Sequence, residues 1–269
     1  VNKLLKITLI FFGIILVLFA SLGIYMYANR PSFEKFRTTQ DQLQNGEGLD
    51  LRGLETLHAS GSAPPLFEEL QQKLSFVKGK KIICDLKDAN HIYFKGIPAK
   101  FFGFQSPQPQ IREIFRRFLY AGAYTLPENQ LRSEEEEAKI YGFDYIQLPI
   151  GSRSGTPSKD VDRFVSFIDN LPQDTWVHFH CHRGKGRTSM ALVMLDIMKN
   201  APHVSLEDIR KRQHRLGSVD LFDVSFWVNG TYSKEMLEKR KHFIEEFYTF
   251  ICQRKAGGQQ TWSAWKGES

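Results

Sequence analysis

The sequence predicts an α/β fold behind one N-terminal apolar helix, and three observations carry that reading. Branched and aromatic runs, residues 80–86, 91–94 and 176–179 among them, alternate with stretches whose apolar residues recur at helical spacing. The last of these runs leads straight into a glycine-bearing loop and a helix, across His180-Cys181-His182-Arg183-Gly184-Lys185-Gly186-Arg187-Thr188. Residues 7–28 carry no charge at all.

That uncharged stretch is mostly Ile, Leu, Phe and Val. As a helix it is long enough for a bilayer core, which needs about 20 residues. A cleavable leader has a shorter apolar region of about 7–15 residues, so an uncleaved anchor is the favoured reading. Residues 1–29 are therefore expected to be a signal anchor or signal peptide, and residues 30–269 the remaining domain. With Lys3 and Lys6 inside, the domain is exported, or secreted if cleavage follows Ala20 or Ala28.

Arg30-Pro31 ends the apolar span, and Asn45-Gly46-Glu47-Gly48 reads as a turn. Leu66, Phe67, Leu70 and Leu74 mark an amphipathic helix. Lys87, Asn90 and His91 follow the end of the strand at 80–86, where ligands bind in open α/β sheets. Ile111, Ile114, Phe115, Phe118 and Leu119 recur at helical spacing and are expected in the core. The run Glu134 to Glu137 reads as a solvated helix face. A strand at 143–150 leads into the loop 151–157, and Val161, Phe164, Val165 and Ile168 form the next apolar helical face. Met190, Val193, Met194, Ile197 and Met198 mark the helix after the glycine loop. Ser205 caps a further helix that stops at Gly217. Ser233 caps a long last helix with Met236, Phe243, Ile244, Phe247 and Ile251 inside, and Trp262 and Trp265 form a packing tail.

The net charge of +6 suits an acidic partner. No basic run interleaved with aromatics appears, which argues against nucleic acid. Three cysteines without paired spacing indicate neither a disulfide framework nor a zinc site, and no metal-ligand spacing stands out. His178, His180 and His182 alternate and read as core histidines or loop orienters.

The nine-residue stretch suits chemistry on phosphate. Glycines let a loop curl so that successive N–H groups face one bowl, and a helix N-terminus adds positive potential to its floor. Arg187 can hold two phosphate oxygens with its planar fork. The same field favours Cys181 as thiolate, the attacking form, and Thr188 places a hydroxyl near the sulfur. Cys84, on a strand that could neighbour the Cys181 strand, is a candidate disulfide partner or a plain core residue.

The stretch resembles the signature of the cysteine-dependent phosphatases: His-Cys, five residues, Arg, Ser/Thr. The likeness extends further. Ala59-Ser60-Gly61-Ser62-Ala63, Asp85-Leu86, His91, Gly96-Ile97-Pro98, Leu148-Pro149, Thr156-Pro157, Val161-Asp162-Arg163-Phe164, Arg212-Gln213-His214-Arg215-Leu216-Gly217 and Trp262-Ser263-Ala264-Trp265 resemble the protein-tyrosine-phosphatase-like inositol polyphosphatases, the bacterial cysteine phytases. The resemblance covers roughly residues 36–266. It implies a mixed central sheet flanked by helices with a small β-rich appended subdomain, no metal and no organic cofactor.

It also implies phosphomonoester hydrolysis through a phosphocysteine, with Cys181, Arg187 and Thr188 catalytic. The substrate class implied is an inositol polyphosphate, bound by His182, Arg183, Gly184, Lys185 and Gly186, with Lys87 and Arg153 extending the cationic rim. The alternatives are a phosphotyrosine or phosphoinositide phosphatase, and a catalytically silent phosphate-binding module. The chain departs from the family in two places. Lys87 stands where the related phytases carry arginine. The family's general-acid aspartate falls on Ser152, with no carboxylate between Asp144 and Asp160, leaving Asp220, Asp223 and His182 as candidates for that role.

Overall fold

The computed structural model describes residues 3–28, 30–43, 48–104, 108–151, 154–225 and 232–268. The chain divides into two units, Val1–Ser32 and Phe33–Ser269. The first is α1 (Lys3–Ala28), a helix whose stretch Lys6–Ala28, with a mean hydropathy of 2.8 in its 18-residue window, is long and apolar enough to cross a membrane.

The second unit is α/β. Its strands are β1 (Arg37–Thr38), β2 (Ala59–Ser62), β3 (Lys81–Asp85), β4 (Ile92–Phe94), β5 (Ile97–Pro98), β6 (Leu131–Ser133), β7 (Asp144–Gln147) and β8 (Trp176–His180). The helices are α2 (Phe67–Lys73), α3 (Ile111–Arg116), α4 (Glu134–Ile140), α5 (Ser158–Asp169), α6 (Gly186–Asn200), α7 (Leu206–Arg215), α8 (Lys234–Lys255) and α9 (Trp262–Trp265). The central sheet runs β1-β2-β8-β3-β7, parallel throughout except for β1. β8 lies at its middle and is buried at all five positions, as a strand covered on both faces must be. The register aligns Ser62, His180 and Asp85 across β2, β8 and β3, so the loops leaving these strands share one edge.

Helices α5 to α9 cover one face. Val161, Phe164, Val165 and Ile168 of α5 are buried, as are Phe243, Ile244, Phe247 and Ile251 of α8, while Met236 is half-buried. Ser205 and Ser233 cap α7 and α8 by accepting from the N–H of Asp208 and Met236. Trp262 packs against Phe243, Phe247 and Phe250, and Asp162 holds its N–H at 2.7 Å. α2 and the ring of Trp176 serve the opposite cluster with Phe67, Tyr93 and Phe143. The appended subdomain is the antiparallel sheet β5-β4-β6, with Phe94, Phe102 and Leu126 at its core.

Two sequence expectations change. Ile111, Phe115 and Phe118 are exposed, not core, whereas Arg117 is buried and donates to the carbonyls of Phe102 and Gly103. Spacing selects a helical face but does not supply something to cover it. Glu134 and Glu137 are buried although they sit in an all-acidic turn. Both are partnered: Tyr93 donates to Glu134, and the N–H of Gly96 to Glu137. The turn expected at 45–48 lies outside the described residues except for Gly48.

Arg212 and Asp196 form a fully buried bidentate pair that ties α7 to α6, and Arg212 also donates to the carbonyls of Asp50 and Arg52. Removing one partner strands a buried charge, which costs about 3–5 kcal/mol. Arg212→Leu is expected to lower stability by that amount in urea unfolding, whereas Arg52→Leu, which removes a solvent-facing pair with Asp50 and a bond to the carbonyl of His203, is expected to change it by about 1 kcal/mol or less.

Candidate active site

β8 ends at His180, and Cys181 follows, 3% exposed. Its Sγ accepts a hydrogen bond from Thr188 Oγ1 at 3.1 Å. The backbone N–H groups of Arg183 and Thr188 also donate to it. Burial alone pushes a thiol up. Here the Thr188 hydroxyl, the two N–H donors and the Arg187 charge outweigh it, so the Cys181 pKa falls below its ordinary value.

The loop's shape depends on close approaches to β2. Gly184 has φ +62°, and a Cβ there would lie 2.4 Å from the nitrogen of Ala63. A Cβ on Gly61 would lie 2.5 Å from Thr188 Cγ2, so that glycine lets the first turn of α6 reach the sheet. Arg187 donates to the carbonyl of Leu86 at 3.2 Å, and Gly186 opens α6. Arg37 is a part of this arrangement that the sequence reading missed. Buried on β1, it donates to the Gly184 carbonyl at 3.0 Å and to Ser189 Oγ at 3.1 Å. Its place in an apparently plain stretch after the apolar helix gave no signal.

His182, Arg183 and Lys185 are exposed on the loop. Lys87 is half-buried just beyond β3, and its N–H donates to Asp85. Lys100, a second residue missed from sequence, donates to the carbonyl of His182 at 3.3 Å. Burial lowers the His182 pKa, and Lys100 and Lys87 lower it further, so both lysines stand close to the loop. Ser152 and Arg153 lie outside the described residues.

The candidates for the general acid have other engagements. Asp220 pairs with Arg210 at 2.6 Å. Asp223 is exposed, and its bonds from Ser225 hold it below the ordinary carboxylate range. A carboxyl so held gives up no proton at neutral pH, and the lowered pKa of His182 keeps that imidazole unprotonated too.

The three alternating histidines have separate fates. His178 is a satisfied core residue between Ser60 Oγ and Ser62 Oγ, at 2.8 and 2.9 Å, and burial keeps it neutral. His180 meets Asp85, His91 and Glu134 in a buried group whose donor atoms lie within 4.8 Å of one another. Burial opposes charge on His91, but Asp85 and Glu134 outweigh it and raise its pKa to about 9. Burial likewise opposes charge on Glu134, and His180 with His91 overcomes it, lowering Glu134 to about 2. The sequence showed no metal-ligand spacing because these four residues come from four separate segments. Cys84 pairs in register with Phe179, two positions short of Cys181. Such a diagonal spacing is about 7–8 Å between Cα atoms, at or beyond the reach of a disulfide, about 7 Å.

A family model for PTP-like phytases, described as "Inositol hexakisphosphate", matches residues 104–199, a window that contains the whole loop. AvrBs1.1 of Xanthomonas campestris pv. campestris is 33% identical over 95 residues, which is 35% of this chain and 91% of that protein. The chain belongs to the PTP-like phytase family. Its fold agrees with that of the PTP-like myo-inositol phosphatase of Mitsuokella multacida solved with myo-inositol-(1,3,4,5)-tetrakisphosphate: TM-score 0.70, 25% identity, 88% of this chain and 46% of that one. The PTP-like phytase of Bdellovibrio bacteriovorus gives a TM-score of 0.61 at 24% identity, over 88% and 90% of the two chains. The effector protein hopD2 of Pseudomonas syringae pv. tomato is 23% identical over 87% of this chain and 56% of its own length. The chain thus spans about half the length of hopD2 and of the Mitsuokella protein.

In this PTP-like phytase chain the thiol environments differ sharply, since burial raises the Cys252 pKa while the loop lowers that of Cys181. Iodoacetamide at pH 6.5 is expected to label Cys181 faster than Cys252, as read by peptide mass spectrometry. Thr188→Val is expected to slow the labelling of Cys181; equal rates in the two proteins would show that the hydroxyl does not hold the thiolate.

Proposed function

We propose that the chain hydrolyses phosphomonoesters through a phosphocysteine, with inositol polyphosphates as the substrate class. One observation carries the proposal: Cys181 Sγ receives the Thr188 hydroxyl and two loop N–H groups beside the Arg187 guanidinium. Family membership supports it, as does the inositol tetrakisphosphate bound by the Mitsuokella protein. In the first step Sγ attacks phosphorus and the ester P–O bond breaks, with Arg187 and the N–H groups of residues 182–187 holding the equatorial oxygens. Water then attacks the phosphocysteine, releasing inorganic phosphate and the thiolate, with Thr188 donating to the departing sulfur. The rim cations Lys87, Lys100, Arg183, Lys185 and Arg153 serve the further phosphates of the substrate, with His182 as a neutral hydrogen-bonding neighbour. Residues 7–28 anchor the chain in a membrane, with residues 30–269 as the exported catalytic domain.

The leaving alkoxide takes its proton from solvent water rather than from the family's aspartate. General acid catalysis is worth roughly 10²–10⁴ in rate, so turnover of inositol phosphates is slow by that order. Ser152→Asp is expected to raise kcat on inositol hexakisphosphate by about 10² or more, with little change on an aryl phosphate whose leaving group needs no proton. Phosphate release from both substrates, with Cys181→Ser as control, tests the reading. Binding without release by the wild-type chain points instead to a silent phosphate-binding module, and turnover of the aryl ester alone to a protein phosphatase.

Charge makes a separate prediction. Affinity for inositol hexakisphosphate is expected to fall steeply between low and high salt, and affinity for a monophosphorylated aryl ester only slightly. Parallel slopes would remove the case for a polyphosphate.

A further inference from the structure

We propose that Asp85, His91, Glu134 and His180 form a site for a divalent cation of the zinc type, directly behind the phosphate-binding loop. Each residue offers one donor atom to a common centre. His91 Nδ1 lies 2.9 Å from Asp85 Oδ2 and 3.0 Å from Glu134 Oε2. His180 Nε2 lies 3.0 Å from Glu134 Oε1 and 4.0 Å from Asp85 Oδ1. A tetrahedral zinc ion with bonds of about 2.0–2.2 Å separates its ligand atoms by about 3.3–3.5 Å. Three of these contacts are shorter than that by a few tenths of an ångström and the fourth is longer by about half an ångström, so an ion is held after small side-chain shifts.

Charge attraction draws both histidines to Glu134, but well-aligned hydrogen bonds are few. Of the four contacts, only that between His91 and Asp85 is a hydrogen bond. Glu134 Oε2 and His180 Nε2 make none, although both side chains are at least 99% buried. Polar atoms left so at van der Waals density are costly unless something lies between them. Two imidazoles and two carboxylates suit a borderline divalent ion, whose charge the carboxylates neutralise.

The outer shell is present on the two carboxylates, while His91 Nε2 and His180 Nδ1 make no hydrogen bond among the described residues. Tyr93 donates to Glu134 at 3.0 Å, and the N–H of Lys87 to Asp85 at 3.0 Å, which orients both carboxylates. A cavity of about 410 Å³, lined by Asn90, His91, Glu134, Tyr145 and Gln147, gives an ion a way in. Asp85 and His180 end two central strands, while His91 and Glu134 flank strands of the small sheet. A bound ion therefore clamps the small sheet to the strand that carries Cys181. This stands independently of the phosphatase reading, because it needs no turnover to be seen.

The test uses the full chain in mild detergent, stripped with a chelator and titrated with Zn²⁺ alone by calorimetry, then with Co²⁺ by visible absorption. The expected results are one equivalent bound per chain, a saturable rise in Tm, and tetrahedral Co²⁺ bands without a thiolate charge-transfer band. His91→Gln and Glu134→Gln are each expected to weaken binding at least tenfold, and Cys181→Ser to leave it unchanged. Circular dichroism checks the fold of each variant; where Glu134→Gln does not fold, His91→Gln, at the cavity side of the group, decides. No saturable binding, unchanged affinity in His91→Gln, or loss of binding in Cys181→Ser overturns the proposal.

Discussion

A buried sulfur can be an anion only if nearby dipoles and charges replace the water it has lost. At Cys181 desolvation is the largest single influence and it opposes ionisation, yet the hydroxyl of Thr188, two backbone N–H groups and Arg187 together reverse it. Much of the surrounding architecture follows from holding those donors in place. Gly184 must take a left-handed conformation against Ala63, and Arg37 must reach its carbonyl. Gly61 must lack a side chain so that Thr188 can sit beside Cys181. The run of small residues on β2 thus serves the loop as much as the sheet.

Parallel strands bring this about economically. Because β2, β8 and β3 run the same way, their final residues Ser62, His180 and Asp85 fall side by side. Whatever follows each strand meets the others at one edge. Leu86 offers its carbonyl to Arg187, and Thr188 reaches both Ser62 and Cys181. The small sheet adds the other half of the buried group behind the loop, through His91 and Glu134. Charge is dense on both sides of His180: cations in front, carboxylates behind.

Local pattern was sufficient for most elements, and its failures share a cause. The alternation of strands and helices, the serine caps of α7 and α8, and the apolar faces of α5 and α8 were legible because each depends on residues within a few positions. The exposed Ile111 and Phe118 and the buried Glu134 and Glu137 were misread from patterns that looked just as plain. A helical period reports which residues share a face, and an acidic run reports local charge. Neither reports what another part of the chain places opposite. Arg37 and Lys100 were missed for the same reason, since each contacts the loop across more than 80 positions of sequence.

The sequence by itself determined the nucleophile's setting: a cysteine at a strand end, glycines to bend the loop, and an arginine and threonine at a helix start. These are neighbours along the chain, so backbone geometry joins them wherever the segment folds. Only the tertiary structure decided that Asp85, His91, Glu134 and His180 share a single buried space, and that Arg37 holds Gly184. Such groupings depend on which strands pair and which side chains lose water together, and those long-range choices leave no fixed spacing in the chain.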